Sequence, residues 1–154
     1  MPTPSQRDLD SELALALREH GQRVTLPRLL VHRHVRRHGG HLTAEGLHSE
    51  LSEELPSLSP ATVYATLGLL EGLGLVRRVS TTGGAAVFDA RVTEHHHMAC
   101  RRCGRLEDVE ASVDTEPARR RARRSGFSPE GAQVLITGLC ADCAGRPCHP
   151  IRRC

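Results

Sequence analysis

The sequence predicts an α+β chain in two parts: a helical N-terminal domain that ends in a β-hairpin, and a C-terminal α/β domain that carries two cysteine pairs. Three observations carry this. Residues 8–72 show four stretches of helical apolar spacing, each with start or stop residues. Residues 75–88 switch to two short strand-like runs around a glycine turn. Two Cys-x-x-Cys pairs, Cys100/Cys103 and Cys140/Cys143, then lie at the ends of further strand-like runs. The change of character near residue 90 gives domains over 1–90 and 91–145, with a Pro- and Arg-rich tail over 146–154.

Leu9, Leu13 and Leu17 recur every fourth residue and stop at Gly21, the pattern of an amphipathic helix with a glycine terminator. Thr25 is placed to cap a second helix containing Leu26, Leu29, Leu30 and Val35, which ends at Gly39-Gly40. Thr43 starts a third, with Leu47, Leu51 and Leu55 on one face and Pro56 as the stop. Ser59-Pro60 joins a capping hydroxyl to a proline at the first helical position, opening a fourth helix through Tyr64, Leu67 and Leu70 to about Gly74. Leu75 to Ser80 and Ala85 to Phe88 read as strands joined by Thr81-Thr82-Gly83-Gly84. Short helices followed by a hairpin are the order of a winged helix-turn-helix, in which the helix before the wing, here residues 60–72, enters the major groove. A small helical bundle with a hairpin and no DNA role fits the same pattern. Beyond the boundary, Arg105 to Val109 and Gln133 to Thr137 read as strands, and residues 114–125 as an arginine-rich helix.

Composition narrows the function classes. The 154 residues include no Trp, one Tyr and two Phe, so the core must come from Leu, Val and Ala. Small domains built this way need a metal or a partner chain for stability. Residues 1–90 hold nine Arg against ten acids and residues 91–154 twelve against eight, so the net charge of +3 does not by itself indicate nucleic acid. All 21 basic residues are Arg. No apolar run reaches the length of a membrane span and no signal-peptide core follows the N-terminus, so a cytoplasmic protein with no membrane partner is expected. In a reducing compartment, paired cysteines read as metal ligands before disulfides.

Each Cys-x-x-Cys knuckle points two thiolates at one ion, and two knuckles complete the tetrahedral sulfur shell that zinc accepts. Cys103 and Cys140 are 37 residues apart, so the site would tie distant strands together, a structural role in which binding contributes to folding. A redox dithiol and two disulfides are the alternatives. Cys148 and Cys154 lie in the tail without an assigned role. His95 and His97 would face one side of a strand and His96 the other. Two imidazoles with a carboxylate suit Fe(II), Mn(II), Zn(II) or Ni(II), and Asp89, Asp108 and His41 are positioned in sequence to complete such a site. A solvated surface strand is the plainer reading of any one of these histidines. His20, His32, His34, His38 and His48 are expected as exposed helix residues.

Gly39-Gly40-His41-Leu42-Thr43-Ala44, Ala61-Thr62-Val63-Tyr64-x-Thr66-Leu67, His95-His96-His97-x-x-Cys100-x-x-Cys103-Gly104 and Gly138-Leu139-Cys140-x-x-Cys143 resemble, in order and spacing, the ferric uptake regulator family. The resemblance spans about residues 8–145. It implies a homodimeric repressor binding a double-stranded DNA operator, with an N-terminal winged helix and a C-terminal dimerisation domain. It implies structural zinc on Cys100, Cys103, Cys140 and Cys143. It places Fe(II) or Mn(II) on a regulatory site of His41, Asp89, His95, His97 and Asp108, and DNA contacts on Tyr64, Thr62, Arg23 and Arg28.

Ala90 stands where the zinc-uptake branch has a cysteine, and Asp108 where peroxide sensors have Asp and iron sensors Glu. The segment Cys100 to Val109 is also similar to actinobacterial regulators of catalase-peroxidase genes. The resemblance thus implies a repressor that releases DNA when peroxide oxidises a ligating histidine, His41 or His95; a metal-uptake regulator that senses availability without oxidation is the alternative. The chain departs from the family at Ala65, where an Arg is usual, at Thr25-Leu26-Pro27-Arg28, which replaces Thr-Pro-Gln-Arg, and at Ala132, where a further metal site has His. Arg119, Arg120, Arg121, Arg123 and Arg124 leave the last long helix without a packing face, which reads as a solvated surface. A zinc enzyme would need an open metal position and a general base, and no such pattern is present. The expectation is a regulator, not an enzyme.

Overall fold

The computed structural model describes residues 5–79 and 86–145. They form two compact units, one comprising residues 5–79 with 86–92 and the other residues 93–145. The expected wing turn over residues 81–84 and the tail beyond 145, including Cys148 and Cys154, lie outside the described residues.

In the first unit, α1 (Gln6–Glu19) opens on a capping box. The Asp8 amide donates to Ser5 Oγ at 3.3 Å, and the Ser5 amide donates to the Asp8 carboxylate at 3.0 Å. The Ser5 hydroxyl also donates to the Asp8 carboxylate at 2.6 Å, and this bond, with that from the Ser5 amide, holds the Asp8 carboxyl below its ordinary pKa. Leu9, Leu13 and Leu17 are its buried stripe. Helix α2 (Leu26–His38) has Thr25 at its N-cap position, but the Thr25 side chain accepts no capping bond; Pro27 near the N-terminus supplies the start instead. Gly39 ends α2 at φ 65°, a conformation in which a side chain would clash with its own backbone. Helix α3 (Ala44–Glu54) is capped by Thr43 Oγ1, which accepts from the Gly46 amide at 3.1 Å. Helix α4 (Pro60–Gly72) is capped by Ser59 Oγ, which accepts from the Thr62 amide at 3.1 Å.

The segment between α2 and α3 is a strand rather than a plain helix junction. Strand β1 (His41–Thr43) pairs antiparallel with β3 (Val87–Asp89), which also pairs antiparallel with β2 (Arg77–Val79). The order is β1-β3-β2. Leu42 lies opposite Phe88, and both side chains are buried, so burial of this apolar pair extends the backbone where periodicity gave no strand signal. The core joins Leu13, Leu17, Val31, Val35, Leu47, Leu51, Val63, Leu67 and Leu70 with Phe88. His32 is 0% exposed, contrary to its expected solvent position. Burial pushes its pKa below 6.5, with Glu12, 3.6 Å away, pulling the other way.

In the second unit, β4 (His96–Cys100) is the centre of a three-stranded sheet. It pairs antiparallel with β5 (Leu106–Val109) and parallel with β6 (Leu135–Gly138). Helix α5 (Glu116–Arg124) has no buried residue. Arg119 bonds the Glu94 carboxylate and Arg123 that of Glu116, which leaves α5 as the solvated helix its composition predicts. A single turn, α6 (Ala141–Ala144), follows β6. Met98 and Ile136 stand 41% and 52% exposed on neighbouring strands. Ala99, Cys100 and Cys143 are the buried apolar residues of this unit among those described.

Candidate functional site

The parallel pairing of β4 with β6 sets Cys100 opposite Gly138 and so brings the two knuckles to one end of the sheet. A turn closed by the Gly104 amide donating to the Cys100 carbonyl at 2.9 Å returns Cys103 beside Cys100, and Gly104 takes φ 78° to make it. Cys140, two residues beyond β6, is the N-cap residue of α6, and Cys143 sits on α6. One sulfur from each of the four lies within 4.8 Å of all the others. The Cys103 and Cys140 sulfurs are 3.8 Å apart. Tetrahedral zinc with Zn–S bonds near 2.3 Å requires sulfur edges of about 3.8 Å, whereas a disulfide brings sulfurs to about 2.05 Å. All four are free thiols. The donor set therefore fits a closed zinc site and not the disulfide alternative. Backbone amides of Cys103 and Cys140 aimed at the Cys100 sulfur lower its pKa to about 5, and burial pushes Cys143 up to about 12.

The histidine and aspartate residues divide between the two units. In the first, His41 on β1 lies opposite Asp89 on β3, with Nε2 3.9 Å from Oδ2. Asp89 is 1% exposed, and its other oxygen accepts from the Arg91 amide at 2.8 Å. In the second, His97 on β4 lies opposite Asp108 on β5. Asp108 Oδ1 is 3.4 Å from His95 Nε2 and 3.8 Å from His97 Nε2, and the two rings are tilted 59° at 4.4 Å. His95 Nδ1 lies 2.8 Å from the Thr93 carbonyl. A carbonyl only accepts, so Nδ1 carries the proton and the neutral ring keeps its lone pair on Nε2, the tautomer a metal ligand needs. His96 points the other way, and its Nδ1 accepts from the Val134 amide at 3.3 Å, a structural bond.

Of the residues expected at DNA, Tyr64 on α4 is 42% exposed. Its hydroxyl donates to Glu45 at the start of α3, which lowers the Glu45 pKa and raises that of Tyr64. Thr62 and Arg28 line one cleft of about 340 Å³ with Thr25 and Ala65. Arg28, in the first turn of α2, donates to the carbonyl of Arg23 in the preceding loop at 2.6 Å. Glu45 was not legible as a partner of Tyr64, because the contact joins two helices through a tertiary fold that local sequence does not encode.

Three comparisons bear on this arrangement. Residues 19–137 match the family model described as the ferric uptake regulator family. The transcriptional regulator FurA of Mycobacterium tuberculosis is 36% identical over 134 residues, covering 86% of this chain and 90% of that protein. The peroxide-responsive repressor PerR of Staphylococcus aureus is 27% identical over 138 residues, covering 90% and 93%. The ferric uptake regulator of Pseudomonas aeruginosa, solved with manganese, is 31% identical with a TM-score of 0.62, covering 86% of this chain and 98% of that one. With two metal-type donor sets of the expected residues on the folded chain, and a family match over most of its length, the protein belongs to the ferric uptake regulator family, whose members are metal-responsive transcriptional regulators.

Proposed function

We propose that this chain is a homodimeric repressor that binds an operator in double-stranded DNA only when a regulatory metal is in place, and that peroxide releases it. In this reading His41, Asp89, His95, His97 and Asp108 hold one Fe(II) or Mn(II), while Cys100, Cys103, Cys140 and Cys143 hold structural zinc. The observation that carries it is the pairing of imidazole and carboxylate donors on both sides of a short segment. Asp89 ends β3, and His95 begins the next donor set only six residues later. One ion taking ligands from both sets would bias the relative arrangement of the two units, which is the differential interaction that metal allostery requires.

Tyr64, Thr62, Arg23 and Arg28 are the proposed DNA contacts. The exposed Tyr64 supports base or sugar contact, and the bond that ties Arg28 at the start of α2 to the Arg23 loop supports phosphate contact. The sheet of the second unit, with Met98 and Ile136 exposed and few residues buried, supports dimerisation through that domain. A closed four-thiolate site has no open position for catalysis, which supports a regulator and not an enzyme. Among the described residues no helix is long and apolar enough to cross a membrane. Free thiols suit the reducing cytoplasm, the proposed location.

A bound ferrous ion would supply the one-electron chemistry that turns peroxide into an oxidant of an adjacent imidazole. His41 or His95 would then gain one peroxide oxygen on ring carbon, the second leaving as water. The altered ring is a poorer ligand, and the operator is released. Asp108, where the resemblance puts Glu in iron sensors, supports this over simple metal sensing; the chain is similar both to PerR and to ferric uptake regulation proteins. Anaerobic binding to the gene's own upstream DNA, with Fe(II), Mn(II) or Zn(II) and with or without peroxide, tests it. Release of the Fe(II) form alone, with an added 16 Da on His41 or His95 (the mass of one oxygen, about 16), supports the peroxide reading. Binding that follows metal occupancy and ignores peroxide would instead establish metal-uptake regulation.

A further inference from the structure

The metal-type side chains of the first unit are not exhausted by His41 and Asp89. Helix α2 carries His34 and His38 one turn apart, the i, i+4 spacing that sets two imidazoles on one helix face. Across from that face, Glu50 of α3 places Oε2 2.5 Å from His34 Nε2. His34, His38 and Glu50 line a single cleft of about 280 Å³. His38 is exposed at the end of α2. Its Nδ1 lies 3.7 Å from where a Cβ on Gly40 would stand, so its ring folds over the bend that leads out of the helix. His38 lines the cleft without converging on the His34–Glu50 pair, and coordination there requires its ring to turn inward about its side-chain torsions.

A surface histidine–glutamate pair by itself contributes little to stability, about 0–1 kcal/mol. The second imidazole at helical spacing, opening on the same cleft, is what a salt bridge does not call for. Two imidazole nitrogens and one carboxylate oxygen are a borderline donor set, suited to Zn(II) or Ni(II) and leaving a coordination position for water. We propose that His34, His38 and Glu50 form a third divalent-cation site, weaker than the other two and lying wholly within the DNA-binding unit. A cation there ties the last turn of α2 to α3 across the Gly39-Gly40 bend. His41 lines the same cleft, so the site lets a high level of free zinc act on the strand that presents His41.

The test uses full-length protein carrying its structural zinc, in a His95→Ala background that weakens the proposed regulatory site. Zn(II) is titrated against a chromophoric chelator, and Co(II) serves as a spectroscopic probe. One further equivalent is expected, and His34→Ala, His38→Ala and Glu50→Gln should each weaken it at least tenfold while the helical circular dichroism is unchanged. Co(II) in the site should show d–d absorption without thiolate charge-transfer bands. The NMR signals of the His34 and His38 rings should broaden. No further equivalent at about 100 μM Zn(II), or one that all three substitutions leave unaltered, overturns the proposal. Because the readout follows only residues of α2 and α3, its failure is separable from failure of the regulatory site built on His95, His97 and Asp108.

Discussion

Replacing Cys103 by Ser should unfold the second unit and leave the first standing. The second unit buries only Ala99, Cys100 and Cys143 as apolar residues among those described. A domain of about fifty residues has a net stability of roughly 3–8 kcal/mol. Binding at a structural zinc site is worth about 10–16 kcal/mol, so the ion outweighs the whole net stability of such a unit. A quarter share for one thiolate, about 2.5–4 kcal/mol, already matches the lower part of that range. The first unit has its own core around Leu13, Val35, Leu67 and Phe88 and does not draw on the thiols. Hydrogen exchange by mass spectrometry on Cys103→Ser, with zinc counted after treatment with a chelator, reads both units at once. The expected result is zinc loss with unprotected amides over β4, β5 and β6, while α1 to α4 stay protected. Zinc-free protein in which β4–β6 remain protected would refute the reasoning.

Other outcomes follow from the same structure. Ser59→Ala removes the hydroxyl that caps α4 and should cost about 1 kcal/mol, lowering the melting temperature of the first unit by roughly 4–8 °C; a calorimetric scan checks it. His32 is buried with its pKa held below 6.5 by desolvation, so the unfolded chain binds the extra proton first as pH falls. Its contribution to stability is therefore whole above pH 6.5 and is lost progressively below it, at up to about 1.4 kcal/mol per pH unit. Urea melts at pH 7.5 and 5.5 should show this fall, and His32→Gln should reduce it; an equal fall in the variant would assign the effect elsewhere. His95→Ala should abolish metal-dependent DNA binding while the dimer stays folded by gel filtration and circular dichroism, since His95 lies outside the hydrogen-bond ladder of the sheet. An unchanged metal response would remove His95 from the regulatory set.

Much of this arrangement was legible in the sequence where local rules act alone. The leucine spacing of α1, the Ser59-Pro60 start of α4 and the glycine stops at Gly21 and Gly39 depend on helix geometry and backbone freedom, and the helices appear where those residues set them. The thiol cluster was legible because Cys-x-x-Cys spacing is itself a ligand geometry. What was not legible depends on distant partners. Strand β1 exists because Leu42 finds Phe88, and that pairing has no local signature. Thr25 looked like a cap but its hydroxyl does not bond the helix, since Pro27 removes one donor and presets the turn. His32 is buried although a polar residue on a helix reads as exposed, because only the packing of α1 against α2 encloses it.

Donors from both units are proposed to serve one regulatory ion that gates DNA binding. The most direct test is Mn(II) binding by electron paramagnetic resonance, paired with fluorescence anisotropy on the upstream DNA, for the wild type, His41→Ala and His97→Ala. One tight Mn(II) per protomer is expected in the wild type, with loss of that ion in both variants and DNA affinity in both that falls at least tenfold to the metal-free level. Retention of the tight ion and of metal-dependent DNA binding in either variant would contradict it.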